Sequence, residues 1–230
     1  MDNKYDYSYE YDSSYCYPKT NILRNKLNIK NDQSLNDMER DIVQIRALQV
    51  IIDPIKGNFD FEHFKAIHKF LFQDIYGWAG ESRTCNIAKT NLFCLAEHIS
   101  YYAESIFDKI AQEDYFIDLQ VENKIEALAN TFCDINALHP FREGNGRAQR
   151  EFIKGLAKVS GIRLDFTKVN QMEMIVASSE STAGDNSKMI DMFKEIATTI
   201  SVEEQLKYID NYLKDAKIKK ALVKQITDKI

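Results

Sequence analysis

Twelve residues just past the middle of the chain, HPFREGNGRAQR at 139–150, combine groups that are suited to phosphate chemistry. The glycine-rich turn at 144–146 allows consecutive backbone N–H groups to point into one concavity. A helix that begins there would add partial positive charge. Arg147 and Arg150 are three residues apart, so they share a helix face and both guanidinium groups can reach one polyphosphate. The segment therefore indicates an anion site.

Two further side chains in this segment add acid–base and metal chemistry. A carboxylate such as Glu143, placed beside a polyphosphate, normally holds a divalent cation, most often Mg²⁺. His139 can exchange protons near neutral pH, which suits a general base toward a hydroxyl that attacks phosphorus. Taken alone, a histidine such as His139 is more often an ordinary loop residue, an acid such as Glu143 is usually solvated, and a glycine pair usually marks a plain turn. Their order within twelve residues favours a Mg–nucleotide site, although the segment has neither the P-loop nor the dinucleotide-binding pattern.

Apolar residues recur at steps of three and four along most of the chain, which predicts a mainly α domain. A first helix is expected to begin at an N-cap Ser34. Its apolar stripe would consist of Leu35, Met38, Ile42, Ile45 and Leu48. Asp60 is the expected N-cap of a second helix, and Gly161 the expected C-cap of the helix that follows the motif. Other helices are expected at about 95–112, 118–138, 146–159, 168–181 and 186–200.

The composition excludes several classes of protein. The 230 residues carry a formal net charge of −5, which argues against a general nucleic-acid binder. No apolar run approaches the roughly 18 residues that would span a bilayer. The polar N-terminus predicts no signal peptide. The four cysteines suit neither a zinc site nor a disulfide scaffold, so we expect reduced thiols in a cytoplasmic protein, with Cys133 packed in a helix.

The chain divides into three parts. Residues 1–17 alternate tyrosine with acidic and serine residues and are expected to form a disordered acidic tail. An alternative is that these tyrosines are offered to a modifying enzyme, including the protein's own active site. Residues 18–200 form the domain itself. Residues 201–230 are helical and Lys-rich, and this C-terminal extension would either dock on the domain or bind a partner.

HPFREGNGRAQR resembles the Fic motif, HPFx[D/E]GNGRxxR, and matches it at every defined position. Residues 67–93, IHKFLFQDIYGWAGESRTCNIAKTNLF, look like the Fic segment of helix, WAG turn and flap hairpin. Residues 17–29, YPKTNILRNKLNI, are similar to the entry segment of many bacterial Fic domains. The resemblance covers roughly residues 17–200. It implies the Fic fold, a mainly α helical bundle with a short β-hairpin flap.

The resemblance implies a protein adenylyltransferase, which transfers AMP from ATP to a Tyr, Ser or Thr hydroxyl of a target protein. His139 would deprotonate the target hydroxyl, Phe141 would anchor the loop in the core, and Glu143 would bind Mg²⁺. The remaining nucleotide contacts come from the anion hole and two arginines: Gly144, Asn145 and Gly146, with Arg147 near the β-phosphate and Arg150 at the γ-phosphate.

The flap has two implied roles. Asn86, Ile87 and Ala88 would pair with the target's backbone as an added strand, while Lys89 and Thr90 would assist nucleotide binding. The adenine pocket is expected near the turn at 178–186.

Gly146 separates two relatives of this fold. Doc-type proteins carry lysine there and phosphorylate their targets, so the glycine of this chain favours AMP transfer. Two alternatives stay open. One is transfer of another phosphate-linked group, such as UMP or phosphocholine. The other is a non-catalytic Fic scaffold that only binds partners.

Many Fic proteins inhibit themselves through a helix bearing [S/T]xxxE[G/N], whose glutamate pairs with the last arginine of the motif. This chain has no such pattern: Glu precedes Gly only at Glu143 and precedes Asn only at Glu122, four residues after Asp118. The absence predicts a toxin restrained by a separate small antitoxin, which supplies the glutamate beside Arg150. An unrestrained effector is the alternative.

Overall fold

Helices dominate the part of the chain that the computed structural model describes, residues 8–9, 14–88 and 92–229. In chain order the helices and strands are β1 (Ser8–Tyr9), α1 (Asp32–Ile52), α2 (Phe61–Phe72), β2 (Ile87–Ala88), α3 (Ile99–Gln112), α4 (Val121–Leu138), α5 (Asn145–Ser160), β3 (Ile162–Leu164), α6 (Gln171–Thr182), α7 (Ser187–Ile196), β4 (Ala197–Thr199), α8 (Val202–Tyr212) and α9 (Ala216–Thr227). This architecture confirms the predicted mainly α fold class.

Helix α5 lies at the centre and packs against α2, α4 and α8. Phe152 on its buried face meets Phe64, Phe107 and Phe59 edge to face. Phe152 and Phe64 are completely buried, and burial of each such side chain contributes about 2 kcal/mol. This aromatic core fixes α5, and with it the residues at its N-terminus.

Two small antiparallel sheets lie at the edges of the bundle. β3 pairs with β4, with Ile162 opposite Thr199 and Leu164 opposite Ala197. β1 pairs with β2, with Ser8 opposite Ala88 and Tyr9 opposite Ile87. An antiparallel bridge joins Ala88 of β2 to Leu92. This bridge is the pairing expected of the predicted flap hairpin.

The predicted helix caps of α2 and α5 are present. The Asp60 side chain accepts from the His63 N–H at 2.7 Å and so begins α2. Gly161 ends α5 with a φ of +93°, a left-handed conformation that glycine adopts without strain. The predicted bounds of the fifth helix, 146–159, differ from the observed Asn145–Ser160 by one residue at each end.

The predicted apolar stripe of α1 is correct for Leu35 and Ile42, which contribute to the core, and wrong for its other three members. Its N-cap is Asn31 instead of Ser34, and Met38, Ile45 and Leu48 are 44%, 59% and 61% exposed. The buried positions of the helix are Leu35, Glu39, Val43 and Val50. The stripe was missed because one of its positions is a carboxylate, which a search for apolar spacing cannot recognise.

Both ends of the chain contact the domain. Residues 14–17 were assigned to the tail, yet Tyr15 and Cys16 are buried. The tail residues 1–7 and 10–13 lie outside the described part of the chain. At the other end, the Gly57 N–H donates to the Tyr212 carbonyl at 2.9 Å, and Ile209, Leu213 and other residues of 201–229 join the main core. Within the described ranges, no helix is both long and apolar enough to cross a membrane.

Candidate active site

The motif loop connects the end of α4 to the start of α5. His139 is the C-cap of α4 with a φ of +43°, and Gly144 is the N-cap of α5 with a φ of +82°. Between them Phe141 is completely buried and stacks on the His68 ring, with 3.8 Å between ring centroids. Phe141 therefore sits in the core, where the resemblance placed it.

Asn145 braces this loop with its side chain. Its Oδ1 accepts from the Phe141 N–H at 2.8 Å, and its Nδ2 donates to the Phe141 carbonyl at 2.6 Å. Both ends of the amide are thus committed to one backbone position. The Asn145 side chain therefore supports the loop, and any contact of this residue with an anion would come from its backbone.

His139 is only 5% exposed, and its ring is held through one face and through Nδ1. Its ring stacks on Phe93 with 3.8 Å between centroids and 11° between planes. Nδ1 lies 3.3 Å from the Asn136 carbonyl oxygen. Because a carbonyl can only accept, this contact places the proton on Nδ1 and leaves Nε2 as the basic atom of the ring.

Arg83 fixes the backbone around His139. Its Nε donates to the His139 carbonyl at 2.8 Å and its Nη1 to the Cys85 carbonyl at 2.7 Å, while Nη2 donates to the Cys94 carbonyl. The Arg83 N–H also donates to the Pro140 carbonyl at 2.8 Å. A single buried guanidinium therefore connects the histidine to both ends of the flap.

An open cavity of about 700 Å³ lies in front of the motif. Its lining includes His139, Glu143, the turn at 144–146, Arg147 and Arg150. The predicted base, carboxylate, glycine turn and arginine pair thus share one space. The far wall comes from α6 and its neighbours and contains Phe132, Phe166, Met174, Ser178, Ser179 and Thr182. Its last three residues overlap the start of the expected adenine pocket.

The two glycines of the motif are required for different reasons. A Cβ on Gly144 would lie 2.2 Å from the Phe72 ring, and its positive φ disfavours other residues. A Cβ on Gly146 would meet only the Arg150 Nη1, at an ordinary 3.5 Å. Gly146 is therefore not required by the backbone or the packing, and what it provides is open space in the cavity.

Arg147 is paired with Glu39, a residue of α1 that the sequence did not single out. The Arg147 Nη2 donates to Glu39 Oε1, and the Tyr76 hydroxyl donates to Glu39 Oε2. The guanidinium also lies 4.8 Å from the centroid of the Phe72 ring. Burial raises the pKa of Glu39, while the attraction of Arg147 opposes that rise. The buried Glu39 therefore fixes Arg147 from beneath the cavity.

Glu143 stands at the rim of the cavity with its side chain 28% exposed. Its Oε1 accepts from the Gly144 N–H at 2.8 Å and lies 3.4 Å from the Arg147 Nη2. Across residues 8–9, 14–88 and 92–229, no group of three His, Cys, Asp or Glu side chains is placed to hold a metal ion. A cation at Glu143 would therefore take most of its ligands from phosphate oxygens and water, as Mg²⁺ does at nucleotide sites.

His68 supports the loop from α2. Its Nδ1 accepts from the Gly80 N–H at 2.9 Å, so Nε2 carries the proton and donates to the Glu143 carbonyl at 2.9 Å. Burial lowers the pKa of His68 to about 3. The neutral ring thus joins the WAG turn to the motif.

The flap is described only in part. Ile87 is buried and pairs with Tyr9, and Ala88 pairs with Ser8. The Asn86 side chain accepts from the Ala96 N–H at 3.0 Å, so it braces the base of the hairpin. Lys89 and Thr90, the predicted nucleotide contacts, lie outside the described residues.

Sequence reasoning missed four residues that organise the site: Glu39, His68, Arg83 and Phe93. Glu39 and Arg83 lie 100 and 56 residues before His139 along the chain, and a single sequence gives no signal of such distant pairing. His68 falls on the apolar stripe of α2, where a histidine is usually a core residue. A polar residue on an otherwise apolar stripe was the available clue for His68 and, in α1, for Glu39.

Comparisons with known proteins agree with this geometry. Residues 58–157 match the Fic/DOC family. Protein adenylyltransferase VbhT of Bartonella schoenbuchensis is 36% identical over 84% of this chain, although the match spans only 40% of VbhT. The probable protein adenylyltransferase y4lH of Sinorhizobium fredii is 37% identical over 74% of this chain and 88% of its own length.

Solved structures extend the likeness to the fold. BepC of Bartonella tribocorum, a VirB-translocated effector determined with bound AMPPNP, superposes with a TM-score of 0.76 at 26% identity, over 83% of this chain and 99% of that one. VbhT is named a protein adenylyltransferase and y4lH a probable one, which is the enzyme class that the sequence predicted. With y4lH matched over most of its length, the chain belongs to the Fic/DOC family, as its twelve-residue motif predicted.

Proposed function

We propose that this chain transfers AMP from ATP to a hydroxyl side chain of a target protein, in the cytoplasm, where ATP is available. The observation that carries the proposal is the cavity of about 700 Å³ in which His139 faces the N-terminus of α5 and its two arginines. The structure of BepC, which resembles this chain, was determined with bound AMPPNP, an ATP analogue, and this supports the proposal.

The triphosphate would lie across the N-terminus of α5. Backbone N–H groups of the turn at 144–146 and the helix dipole favour an anion there. Arg147 is available to the β-phosphate and Arg150 to the γ-phosphate. Glu143 would hold Mg²⁺, which would supply positive charge to offset the charge that builds up on the leaving group. This leaves the α-phosphorus closest to His139.

The chemical step follows from the tautomer of His139. Nε2 takes the proton from the target hydroxyl, and the hydroxyl oxygen forms a bond to the α-phosphorus. The bond between the α-phosphorus and the oxygen that bridges to the β-phosphate breaks, and pyrophosphate leaves. Arg83 holds the backbone carbonyl of His139, and Phe93 stacks on its ring. Together they keep the imidazole in place.

Purified chain and a bacterial lysate, supplied with ATP labelled at either the α- or the γ-phosphate, test the reaction. We expect label from the α-phosphate on protein and none from the γ-phosphate. His139→Ala should abolish the signal, since its loss removes the base. Transfer of the γ-label would instead indicate phosphorylation. Competition by UTP or a choline nucleotide better than by unlabelled ATP would indicate a different donor.

We also propose that a separate small antitoxin restrains this activity at Arg150. Among the described residues, no carboxylate lies within ion-pair distance of Arg150. Burial, and then the neighbouring Arg147, lower the pKa of Arg150, so an added anion would be stabilised there. A second cleft of about 260 Å³, between α1 and α5, leads to the same guanidinium. A glutamate presented from this side would displace the γ-phosphate.

Expression of the chain without a partner should arrest bacterial growth if it is an antitoxin-restrained toxin. His139→Ala should remove the arrest at equal protein level. The measurement is growth after induction, with the level of each variant checked by immunoblot. Unimpaired growth with active wild-type chain would contradict the antitoxin proposal and leave the AMP-transfer proposal intact.

A further inference from the structure

The outer edge of the flap already carries a strand of this same chain. β2 has its hairpin partner on one side, where the Phe93 N–H donates to the Ile87 carbonyl at 3.2 Å. β1 lies antiparallel on the other side, with Tyr9 opposite Ile87 and Ser8 opposite Ala88. An edge strand offers its remaining N–H and C=O groups to one partner at a time. The edge that an added target strand would need is thus taken.

The paired edge is close to the catalytic base. Phe93, bonded to Ile87, stacks directly on the His139 ring. Ile87, Phe93, Tyr15 and Cys85 form a small hydrophobic cluster separate from the main core. A strand that pairs with β2 therefore lies beside Ile87, whose carbonyl is bonded to Phe93, the residue that stacks on His139.

A second observation shows that the N-terminal segment is anchored at this place. Tyr15 is 7% exposed, its ring meets Trp78 edge to face at 5.7 Å, and its hydroxyl accepts from the Thr84 N–H at 3.2 Å. Arg142, the variable position of the motif, lies 5.8 Å from the centroid of the same ring. Only residues 10–14 connect this anchor to Tyr9, so β1 is tethered within reach of the flap.

We propose that β1 is a built-in competitor for the outer edge of β2, where the chain's own N-terminal segment stands in for a target strand. This proposal rests on the proposed function, because it assumes that the target protein binds at the flap. Targets bind by displacing β1, and the short tether gives β1 an effective concentration in the millimolar range. The affinity of any extended target segment is lowered accordingly.

The test measures binding without nucleotide, using the full chain. A fluorescent peptide with the sequence of residues 1–14, MDNKYDYSYEYDSS, is the probe, and anisotropy is the readout. The double variant Ser8→Pro/Tyr9→Pro removes two N–H donors of β1 and cannot pair with β2. We expect this variant to bind the peptide at least about tenfold more tightly than the wild-type chain does, because its own tail no longer competes.

Two controls match these changes. The variant Ser8→Ala/Tyr9→Phe keeps every backbone donor and should bind the peptide as weakly as the wild type. A peptide that carries both prolines should not bind the proline variant. Equal affinity of wild type and proline variant for the probe, or no binding to the proline variant, would overturn the proposal. Neither outcome depends on ATP, so failure here is distinct from failure of AMP transfer, which the α-label reports.

Discussion

His68 holds the active-site loop only while its imidazole is neutral. It accepts a hydrogen bond from the Gly80 N–H at Nδ1 and donates one to the Glu143 carbonyl, so the ring has no site for a second proton without losing a bond. Burial accordingly lowers its pKa from 6.5 to about 3. The loop that carries Glu143 is thus connected to a titratable group that does no chemistry.

This connection predicts how stability depends on pH. Between pH 6.5 and about 3 the unfolded chain is protonated at His68 and the folded chain is not. The unfolded state therefore binds more protons, and the folded state loses up to about 1.4 kcal/mol for each unit that the pH falls. His68→Gln keeps a donor and an acceptor but does not titrate, so its unfolding free energy should fall less steeply than that of the wild type.

Urea unfolding at several pH values between 4 and 7 measures the two slopes. The exposed His98 offers a matched control, and His98→Gln should follow the wild type. Parallel slopes for wild type and His68→Gln would show that His68 titrates normally in the folded protein. The difference between the variants isolates His68 from the other two buried histidines, His63 and His139, which are present in all three chains.

The placement of the motif residues could be predicted from the sequence, because it depends on local backbone geometry. Arg147 and Arg150 share a face through helical spacing alone, and Gly144 needs a left-handed backbone whatever surrounds it. The residues that hold these groups could not be predicted. Arg83 acts through three carbonyls and Glu39 through one distant guanidinium. Only the folded chain brings those partners together.

At the scale of elements, two glycines at the start of α5 are expected to differ in role. Gly144 is needed for the fold, and Gly146 leaves space in the cavity. Gly144→Ala should destabilise the protein by about 3 kcal/mol, because the methyl group overlaps Phe72 and the left-handed backbone is strained. Gly146→Ala should leave stability within about 1 kcal/mol of wild type. It should nevertheless slow AMP transfer roughly tenfold or more, since the methyl group enters the space of the phosphates.

The two alanine variants act as controls for each other. Urea midpoints give the stabilities, and the rate of α-label transfer by the folded fraction gives the activities. A Gly146→Ala chain that is as active as the wild type would show that the open space at Gly146 is not used by the nucleotide. A Gly144→Ala chain of normal stability would contradict the close packing of Phe72.

Helix α1 shows why elements are easier to predict than their orientation. Apolar spacing located the helix, but the predicted stripe has three members, Met38, Ile45 and Leu48, that are exposed. The true buried face contains Glu39, which is stable there because Arg147 and Tyr76 satisfy its carboxylate. A helix that carries a functional acid on its buried face will mislead a search that counts only apolar residues.

Across the whole molecule, the C-terminal segment is part of the folded unit. Tyr212 is 6% exposed and its ring packs so closely on Gly155 that a Cβ there would lie 2.7 Å away. Gln205 donates to the Val159 carbonyl at 2.8 Å, beside the end of α5. Helix α8 therefore packs against the C-terminal half of α5 and stabilises the element that presents the motif.

Truncating this contact should destabilise the entire domain. Tyr212→Ala is expected to lower the free energy of unfolding by roughly 3–5 kcal/mol, because it removes a buried ring from beside the central helix. Tyr101→Ala changes a ring that is 73% exposed and should stay within about 0.5 kcal/mol of wild type. A single cooperative urea transition with a lower midpoint for Tyr212→Ala supports this. Equal midpoints for the two variants would place α8 outside the cooperative unit.

The fold class followed from helical spacing and from a motif that is specific by itself. The contacts between distant parts did not, because two segments separated by a hundred residues leave no periodic signal in one sequence. The docked strand Ser8–Tyr9 shows this most clearly. Its alternating pattern is compatible with a strand, but it lacks the aliphatic residues of a buried one, and its partner edge exists only after the flap has folded.

The pairing of Glu39 with Arg147 also has an evolutionary consequence. The two residues are 108 positions apart, yet a mutation that removes Arg147 leaves Glu39, whose side chain is 9% exposed, as a buried carboxylate without its charged partner, which typically costs about 3–5 kcal/mol. Arg147 can therefore not be replaced alone while Glu39 is retained. Lineages that have lost the arginine at position 147 should therefore also have lost the acid at this turn of α1.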